Sequence, residues 1–222
     1  MNDSALLPAV EIEPEGPHRA TVIWLHGLGA DGHDFEPLAA ELQLPAALGV
    51  RFLLPHAPRR PVSINAGTLM RAWYDIVSPD LSFAPDRPGI QASRQAVARL
   101  AEREMARGIP PERIVLAGFS QGGVIALETM AHHPQPWGGV IALSTYVALP
   151  DTLPAAPRPV PIFMAHGTLD TVVPYTLGAA GRALLEAKGY AVEWHTYPMP
   201  HSVCWEEIRD IGHWLARRLS AP

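Results

Sequence analysis

Residues 113–130 read RIVLAGFSQGGVIALETM, and this stretch decides the fold and the chemistry that the sequence predicts. An apolar, β-branched run leads to Ser120 and a helix-forming run follows it, a pattern typical of a strand, a sharp turn and a helix. Gly118 and Gly122 flank the serine at the two positions where a Cβ atom would clash between strand and helix. A helix cap would explain the serine but not both glycines. We therefore predict that Ser120 is an exposed nucleophile.

The rest of the chain alternates short apolar runs with longer amphipathic runs. This order is typical of a mostly parallel sheet with right-handed helical crossovers. Most of the strand candidates are apolar on both faces, as expected for strands that helices cover. We see no domain boundary and predict one α/β domain over residues 1–222. The predicted strands are 21–27, 50–55, 113–118, 139–144, 160–167 and 191–198, and the predicted helices are 93–108, 122–133, 175–189 and 204–219.

The composition argues against several classes of protein. The chain has 222 residues and a formal net charge of −5, so we expect neither nucleic acid nor an anionic membrane as a main partner. No apolar segment is long enough to span a bilayer, and the opening residues lack the basic and apolar pattern of a secretory leader. The single cysteine, Cys204, excludes an internal disulfide and fits a reducing compartment. We therefore expect a soluble cytoplasmic protein with no integral membrane association.

A second glycine-rich stretch, HGLGADG at residues 26–32, has the GxGxxG spacing of dinucleotide-binding loops. That interpretation requires an acidic residue at the end of the second strand, which ends in FLLPH, and no Lys-Ser or Lys-Thr pair follows for a Walker loop. Acyl transfer also needs exposed backbone N–H groups, because an oxyanion must be stabilised. One donor is then the N–H after the nucleophile, here Gln121, and the other comes from a loop after an early strand. We assign residues 26–32 to that loop.

The acid of the site is predicted from its position after a strand. A serine hydroxyl needs a base, and the base needs an acid that orients it. Where a nucleophile stands on such a turn, the acid and then the histidine follow it in the chain, each at the carboxyl end of a strand. The strand candidate 160–167 runs directly into Asp170, whereas Asp151 lies among prolines with no strand before it. Asp170 is therefore the predicted acid.

Three histidines follow Asp170 and compete for the role of base. His195 lies inside a predicted strand and His213 inside the last predicted helix, where packing or surface roles are more common. His201 lies in the loop MPHS between the last strand and the last helix. That loop is at the carboxyl end of a strand, so His201 is the predicted base.

Five ordered segments together resemble the bacterial carboxylesterase and phospholipase branch of the α/β-hydrolases, which also contains acyl-protein thioesterases and lysophospholipases. These segments are LHGLGADGHDF, AWYDI, AGFSQGG, HGTLD and YPMPH, and the resemblance extends from about residue 21 to residue 219. It implies an α/β-hydrolase fold with a mostly parallel central sheet and helices on both faces. For the site, the resemblance implies that Ser120 is the nucleophile, Asp170 the acid and His201 the base. It also implies that the backbone N–H groups of Leu28 and Gln121 are the oxyanion donors.

This sequence departs from the family pattern at one position, Pro200. Pro200 stands where the family often has glycine, so we expect a stiffer or shifted loop at His201.

Only residues 145–158 separate the strand at 139–144 from the strand at 160–167, which leaves no room for a large lid domain. The proline-rich segment 55–88 is predicted as a long irregular connection that lines the groove. Its predicted wall residues are Trp73, Leu69 and Met70, and the alternative is that this cluster is a buried plug that holds the loop down.

These observations predict a serine carboxylesterase that acts on a small-molecule ester or thioester through an acyl-enzyme intermediate. We expect short to medium acyl groups or small aromatic esters as substrates. Two alternatives stay open: an acyl-protein thioesterase or lysophospholipase that acts on long acyl chains, and a non-catalytic receptor of the same fold. No HExxH or CxxC pattern occurs, so we expect no metal, and the chemistry needs no cofactor. The sequence leaves open whether the chain forms a homodimer.

Overall fold

The structure is a computed structural model that describes residues 6–81, 83–133, 135–156 and 160–220. Short 3₁₀ turns cover Gly32–Phe35, Ala46–Leu48, Ser63–Asn65 and Pro111–Arg113. The helices are α1 (Glu36–Glu41), α2 (Arg87–Ala106), α3 (Gln121–His132), α4 (Tyr175–Ala187) and α5 (Trp205–Ser220). The strands are β1 (Ala9–Ile12), β2 (Ala20–Leu25), β3 (Val50–Pro55), β4 (Arg59–Val62), β5 (Thr68–Arg71), β6 (Ile114–Phe119), β7 (Gly139–Leu143), β8 (Pro161–Gly167) and β9 (Ala191–Tyr197).

Seven of these strands form the central sheet, in the order β1-β3-β2-β6-β7-β8-β9. The strand β1 runs antiparallel to β3, and every other neighbouring pair is parallel. All six strands that the sequence predicts are present in this sheet. The prediction of a mostly parallel sheet is therefore confirmed.

The predicted irregular connection over residues 55–88 is wrong in part. Within it, β4 and β5 form a two-stranded antiparallel hairpin. The helix α2 also begins at Arg87 and not at residue 93. Proline has no backbone N–H for a strand ladder, so Pro61 in β4 argues against a strand, but a two-stranded hairpin has free edges that tolerate it. The elements β1 and α1 are too short to show a periodic pattern, and the sequence does not predict them.

Helices cover both faces of the central sheet. Successive side chains of a strand point to opposite faces, and β2 shows this directly: Ile23 and Leu25 lie in one core, whereas Val22 and Trp24 lie in the other. The first core also contains side chains of α2, α3 and α4, and the second contains side chains of α1 and α5. The prediction of helices on both faces is confirmed.

One edge of the sheet collects the candidate site residues. Parallel strands end at the same edge, so the chain leaves β2 into residues 26–32, leaves β6 into Ser120 and leaves β8 into Asp170 at that edge. The described residues between β7 and β8 contain no helix or strand, in agreement with the absence of a large lid; Arg158 lies outside the described residues. In the ranges given above, no helix has the length and apolar character needed to cross a membrane.

Candidate active site

The turn at Ser120 has the strained geometry that the GxSxG pattern predicts. Its backbone φ of 55° and ψ of −121° lie in a region that residues with a side chain rarely adopt, at a cost of about 1–3 kcal/mol. Two contacts hold the turn: the Ser120 N–H donates to the Leu143 carbonyl at 2.8 Å, and Thr145 Oγ1 donates to the Ser120 carbonyl at 2.8 Å. The last residue of β7 and the start of the following loop therefore fix the turn in place.

The two flanking glycines are required by close packing. A Cβ atom on Gly118 would lie 2.3 Å from the Gly122 carbonyl, and one on Gly122 would lie 2.3 Å from the Leu25 carbonyl. Real Cβ atoms do not approach backbone this closely, so any side chain at either position would force β6, α3 and β2 apart. The predicted crowding on both sides of Ser120 is confirmed.

Asp170 and His201 form a hydrogen-bonded pair. His201 Nδ1 donates to Asp170 Oδ2 at 2.7 Å, and Asp170 Oδ1 accepts from the N–H groups of Val172 and Val173, both at 2.9 Å. The Asp170 side chain is completely buried, whereas that of His201 is 15% exposed. The pair thus has an anchored acid and a base that reaches the surface of the site. Pro200 does not shift the loop enough to break this contact.

Ser120 and His201 line the wall of the same cavity. The His201 ring packs on that of Phe119, the residue before the serine, with ring centroids 4.7 Å apart. Among the described residues, no hydrogen bond joins Ser120 Oγ to His201 Nε2. Such contacts are often long without substrate and tighten when it binds.

The competing residues lie elsewhere. Asp151 is exposed and pairs with Arg87 at 2.8 Å. His195 contacts Glu193, and its ring stacks on Phe163. None of these residues, nor His213, is among those that line the cavity.

The two residues predicted to supply the oxyanion N–H groups border the same cavity as Ser120. Leu28 and Gln121 line the cavity together with Ser120. Gln121 is the first residue of α3, where the N–H has no partner within the helix. The loop that carries Leu28 is held by the Gly29 N–H, which donates to the Arg71 carbonyl at 2.9 Å, and Gly29 has a positive φ of 79°. The glycine thus gives the loop a backbone turn that other residues disfavour.

The structure corrects the prediction that Trp73, Leu69 and Met70 form the groove wall. Trp73 is completely buried and its indole Nε1 donates to the His26 carbonyl at 2.8 Å. Leu69 is 59% exposed on the hairpin, and neither it nor Met70 lines the cavity. The sequence pattern of an apolar loop residue is the same whether its side chain lines a groove or is buried as a plug. Trp73 is the plug, which is the alternative that the sequence leaves open.

The wall comes instead from several loops. The cavity has a volume of about 530 Å³, within the usual range for small-molecule sites. The segment 64–81 contributes four of the ten apolar wall residues, and the loop after β8 that carries Asp170, here called the acid loop, contributes two valines. The apolar lining residues are Leu28, Ala30, Phe35, Ile64, Ile76, Pro79, Leu81, Phe119, Val172 and Val173.

Two buried histidines support the site, and sequence reasoning missed them. His26 Nδ1 donates to the Gly27 carbonyl at 2.7 Å, and its Nε2 accepts from the Ala57 N–H at 3.0 Å. His166 Nε2 donates to the Val173 carbonyl at 2.8 Å, beside Asp170 Oδ2. Burial lowers the pKa of both imidazoles, which favours their neutral form. The signal that could have found them is a His-Gly pair at the end of each strand: it directly follows β2 and forms the last two residues of β8.

The described part of the chain contains no group of three or more His, Cys, Asp or Glu side chains placed to hold a metal ion. The absence of a metal and of a cofactor stays a prediction.

A strained serine between a strand and a helix, beside a hydrogen-bonded acid and histidine at the carboxyl edge of a parallel sheet, defines an α/β hydrolase of the serine hydrolase class. The chain belongs to the phospholipase/carboxylesterase family, whose model matches residues 8–219.

Three relatives illustrate the similarity. Acyl-protein thioesterase 1 of Neurospora crassa is 41% identical over 96% of this chain and 91% of its own length. A probable carboxylesterase of Oryza sativa is 34% identical over 97% of this chain and 84% of its own. The crystal structure of Zea mays acyl-protein thioesterase 2 superposes with a TM-score of 0.85 and 31% identity, covering 96% of this chain and 99% of that one. The family is thus confirmed, but these fungal and plant relatives do not support the bacterial branch.

Proposed function

We propose that this protein is a serine thioesterase that removes long acyl chains from acyl thioesters, including those of acylated proteins. The observation that carries the proposal is the apolar cavity of about 530 Å³ whose wall includes Ser120 and His201. Fungal and plant relatives named acyl-protein thioesterases support it. The sequence leaves this activity open as an alternative, and we now prefer it to hydrolysis of short esters.

The mechanism follows from the positions of the candidate residues. Ser120 Oγ attacks the thioester carbonyl carbon while His201 Nε2 takes the hydroxyl proton, and the Leu28 and Gln121 N–H groups stabilise the oxyanion. Collapse of this intermediate breaks the carbon–sulfur bond, and the thiol leaves with the proton from His201. Water then attacks the acyl-enzyme by the same route and releases the carboxylic acid. Asp170 keeps the His201 ring oriented throughout.

A carboxylesterase that acts on short to medium acyl or small aromatic oxygen esters is the second candidate. The rice relative named a probable carboxylesterase favours it, and the same residues would cleave an oxygen ester. A cytoplasmic location and a single domain stay predictions under either candidate, and an exclusively small-molecule substrate stays a prediction under the second.

A series of acyl thioesters with one thiol and increasing chain length tests the proposal. Each buried CH₂ contributes about 0.8 kcal/mol, so we expect kcat/KM to rise about fourfold per CH₂ until the cavity is full. Ser120→Ala should abolish this hydrolysis, whereas Ser220→Ala, at the exposed end of α5, should not change it. A flat chain-length profile with a preference for oxygen esters would favour the second candidate. Full activity of the Ser120→Ala variant would contradict both.

A further inference from the structure

Two tyrosines from different parts of the chain meet in the cavity wall. Tyr74 follows β5, and Tyr146 follows β7. Their hydroxyl oxygens lie 3.1 Å apart, and the two side chains are almost completely buried. Burial raises the pKa of both hydroxyls, so both stay protonated and one donates to the other. This hydrogen bond therefore joins the loop after β5 to the loop after β7 within the cavity wall.

The same two tyrosines also line a second, much smaller cavity of about 10 Å³, the space of about one water molecule. Four residues border both cavities: Tyr74, Ile76, Leu81 and Tyr146. These four side chains consequently separate the two cavities. The other residues that line the small cavity lie within 75–80 and 83–85, and two of them, Val77 and Phe83, are exposed.

Contacts to the nucleophile turn fix the position of this partition. The Tyr74 carbonyl accepts from Gln121 Nε2 at 2.7 Å. Thr145, the residue before Tyr146, donates to the Ser120 carbonyl at 2.8 Å. The distance between Ser120 and the partition is thus set by hydrogen bonds at both of its ends.

The chemistry assigns the partition to the acyl side of the site. The leaving thiol must lie beside His201, because this residue protonates it. Neither tyrosine makes a hydrogen bond or a ring contact with His201 among the described residues. Instead, the Tyr74 carbonyl accepts from Gln121, and Thr145, the residue before Tyr146, donates to the Ser120 carbonyl. The acyl chain is then the part of the substrate that meets the tyrosines.

We propose that the hydrogen-bonded pair Tyr74 and Tyr146 is the end wall of the acyl site and sets the longest acyl chain that this enzyme accepts. The inference rests on the proposed function, because it concerns the acyl chain bound at Ser120. Tyr146 is the residue to change, since it alone of the four comes from outside the segment 74–81 and its removal joins the two cavities.

The test compares the chain-length optimum of wild type with that of Tyr146→Ala, using one series of acyl thioesters. We expect the optimum of Tyr146→Ala to move to longer chains, with a gain of about fourfold in kcat/KM for each added CH₂ that enters the joined space. Tyr146→Leu, which keeps an apolar side chain and so protects the fold, should shift the optimum less. Tyr146→Phe keeps the ring and should keep the wild-type optimum.

Tyr190→Ala is the matched control. Tyr190 is also buried, its hydroxyl donates to the Pro154 carbonyl at 3.3 Å, and it does not line the cavity. This variant should lose stability without any change in the chain-length optimum.

Each outcome separates this inference from the proposed function. If wild type hydrolyses no acyl thioester, the proposed function fails. If wild type responds to chain length but Tyr146→Ala and Tyr146→Leu keep its optimum, the end wall is not at Tyr146 and the inference is overturned. A shift in the preferred thiol at constant acyl preference would also overturn it, because the partition would then contact the leaving group.

Discussion

Among single residues, Gln121 connects the start of α3 to the loop that follows β5. Its side chain accepts from the Trp73 N–H at 2.8 Å and donates to the Tyr74 carbonyl at 2.7 Å. Gln121 also lines the cavity beside Ser120. Trp73 in turn donates from its indole Nε1 to the carbonyl of His26, the first residue of the glycine-rich loop 26–32. The Gln121 side chain thus holds the start of α3 to the loop at Trp73, and Trp73 holds that loop to residues 26–32.

We expect Gln121→Ala to lower both activity and stability, although the backbone N–H remains. The substitution leaves a buried donor and a buried acceptor unpaired, at about 1–3 kcal/mol each. It also frees the loop at Trp73, so kcat should fall more than KM changes. Enzyme kinetics and urea unfolding measure the two effects. Gln95→Ala, at an exposed position of α2, is the control and should change neither. An unchanged kcat in Gln121→Ala would show that the side chain does not align the site.

The sequence predicts the residues whose role depends on local order in the chain. Ser120, Asp170 and His201 each follow a recognisable strand, so their shared edge can be inferred from the order of strands and loops alone. The groove wall cannot be inferred in this way. Trp73 and Ile76 are apolar residues of one loop, and only the tertiary contacts bury the first and place the second in the cavity wall. The predicted oxyanion role of Leu28 stays a prediction.

At the scale of elements, the acid loop and the histidine loop meet because a glycine ends β8. A Cβ atom on Gly167 would lie 2.3 Å from the Met199 carbonyl and 2.6 Å from the Pro200 carbonyl. The acid loop therefore lies directly on the loop that carries His201. The Leu169 N–H donates to the Met199 carbonyl at 3.1 Å and completes this contact.

We expect Gly167→Ala to separate the acid loop from the histidine loop. The added Cβ must push the Met199 and Pro200 carbonyls away, which moves His201 relative to Asp170. A displacement of about 1 Å costs about 100-fold in rate, so kcat/KM should fall by about that factor. The control is Gly16→Ala, since nothing lies within 4 Å of a Cβ at Gly16. Wild-type kinetics in Gly167→Ala would contradict this account of the loop contact.

The hairpin β4–β5 shows where element prediction fails. Its strands are four residues long, and Pro61 interrupts the first. Such a hairpin has no periodic pattern of its own, so the residues there resemble a proline-rich loop. In contrast, β6 is apolar throughout and β8 is apolar except for His166, because helices cover both faces, and these apolar runs predict the two strands directly.

At the scale of the whole molecule, a buried acid makes stability depend on pH. Glu207 lies in the first turn of α5 and is completely buried. Burial raises its pKa from 4.5 to about 8. Between these two values the folded protein binds a proton that the unfolded chain has released. The free energy of unfolding should therefore fall as pH rises through this window, by about 1.4 kcal/mol per pH unit from this group.

Glu207→Gln replaces the titrating carboxyl group with a neutral amide and tests this dependence of stability on pH. The stability of the variant relative to wild type should rise by about 1.4 kcal/mol per pH unit between pH values of about 5 and 8, measured by urea unfolding. Glu206→Gln changes the exposed neighbouring residue and should show no such trend. Parallel pH curves for wild type and Glu207→Gln would contradict the assignment. A single cooperative transition in these measurements would also agree with one domain.

The proposed mechanism depends on Ser120 as an activated nucleophile, and covalent labelling reports this activation. A fluorophosphonate reacts with a serine only when a base has activated its hydroxyl. Intact-mass measurement followed by peptide mapping should show one phosphonyl group on Ser120 in wild type and in Ser220→Ala, and none in Ser120→Ala. No reaction of wild type, or equal labelling of Ser120→Ala, would contradict the account.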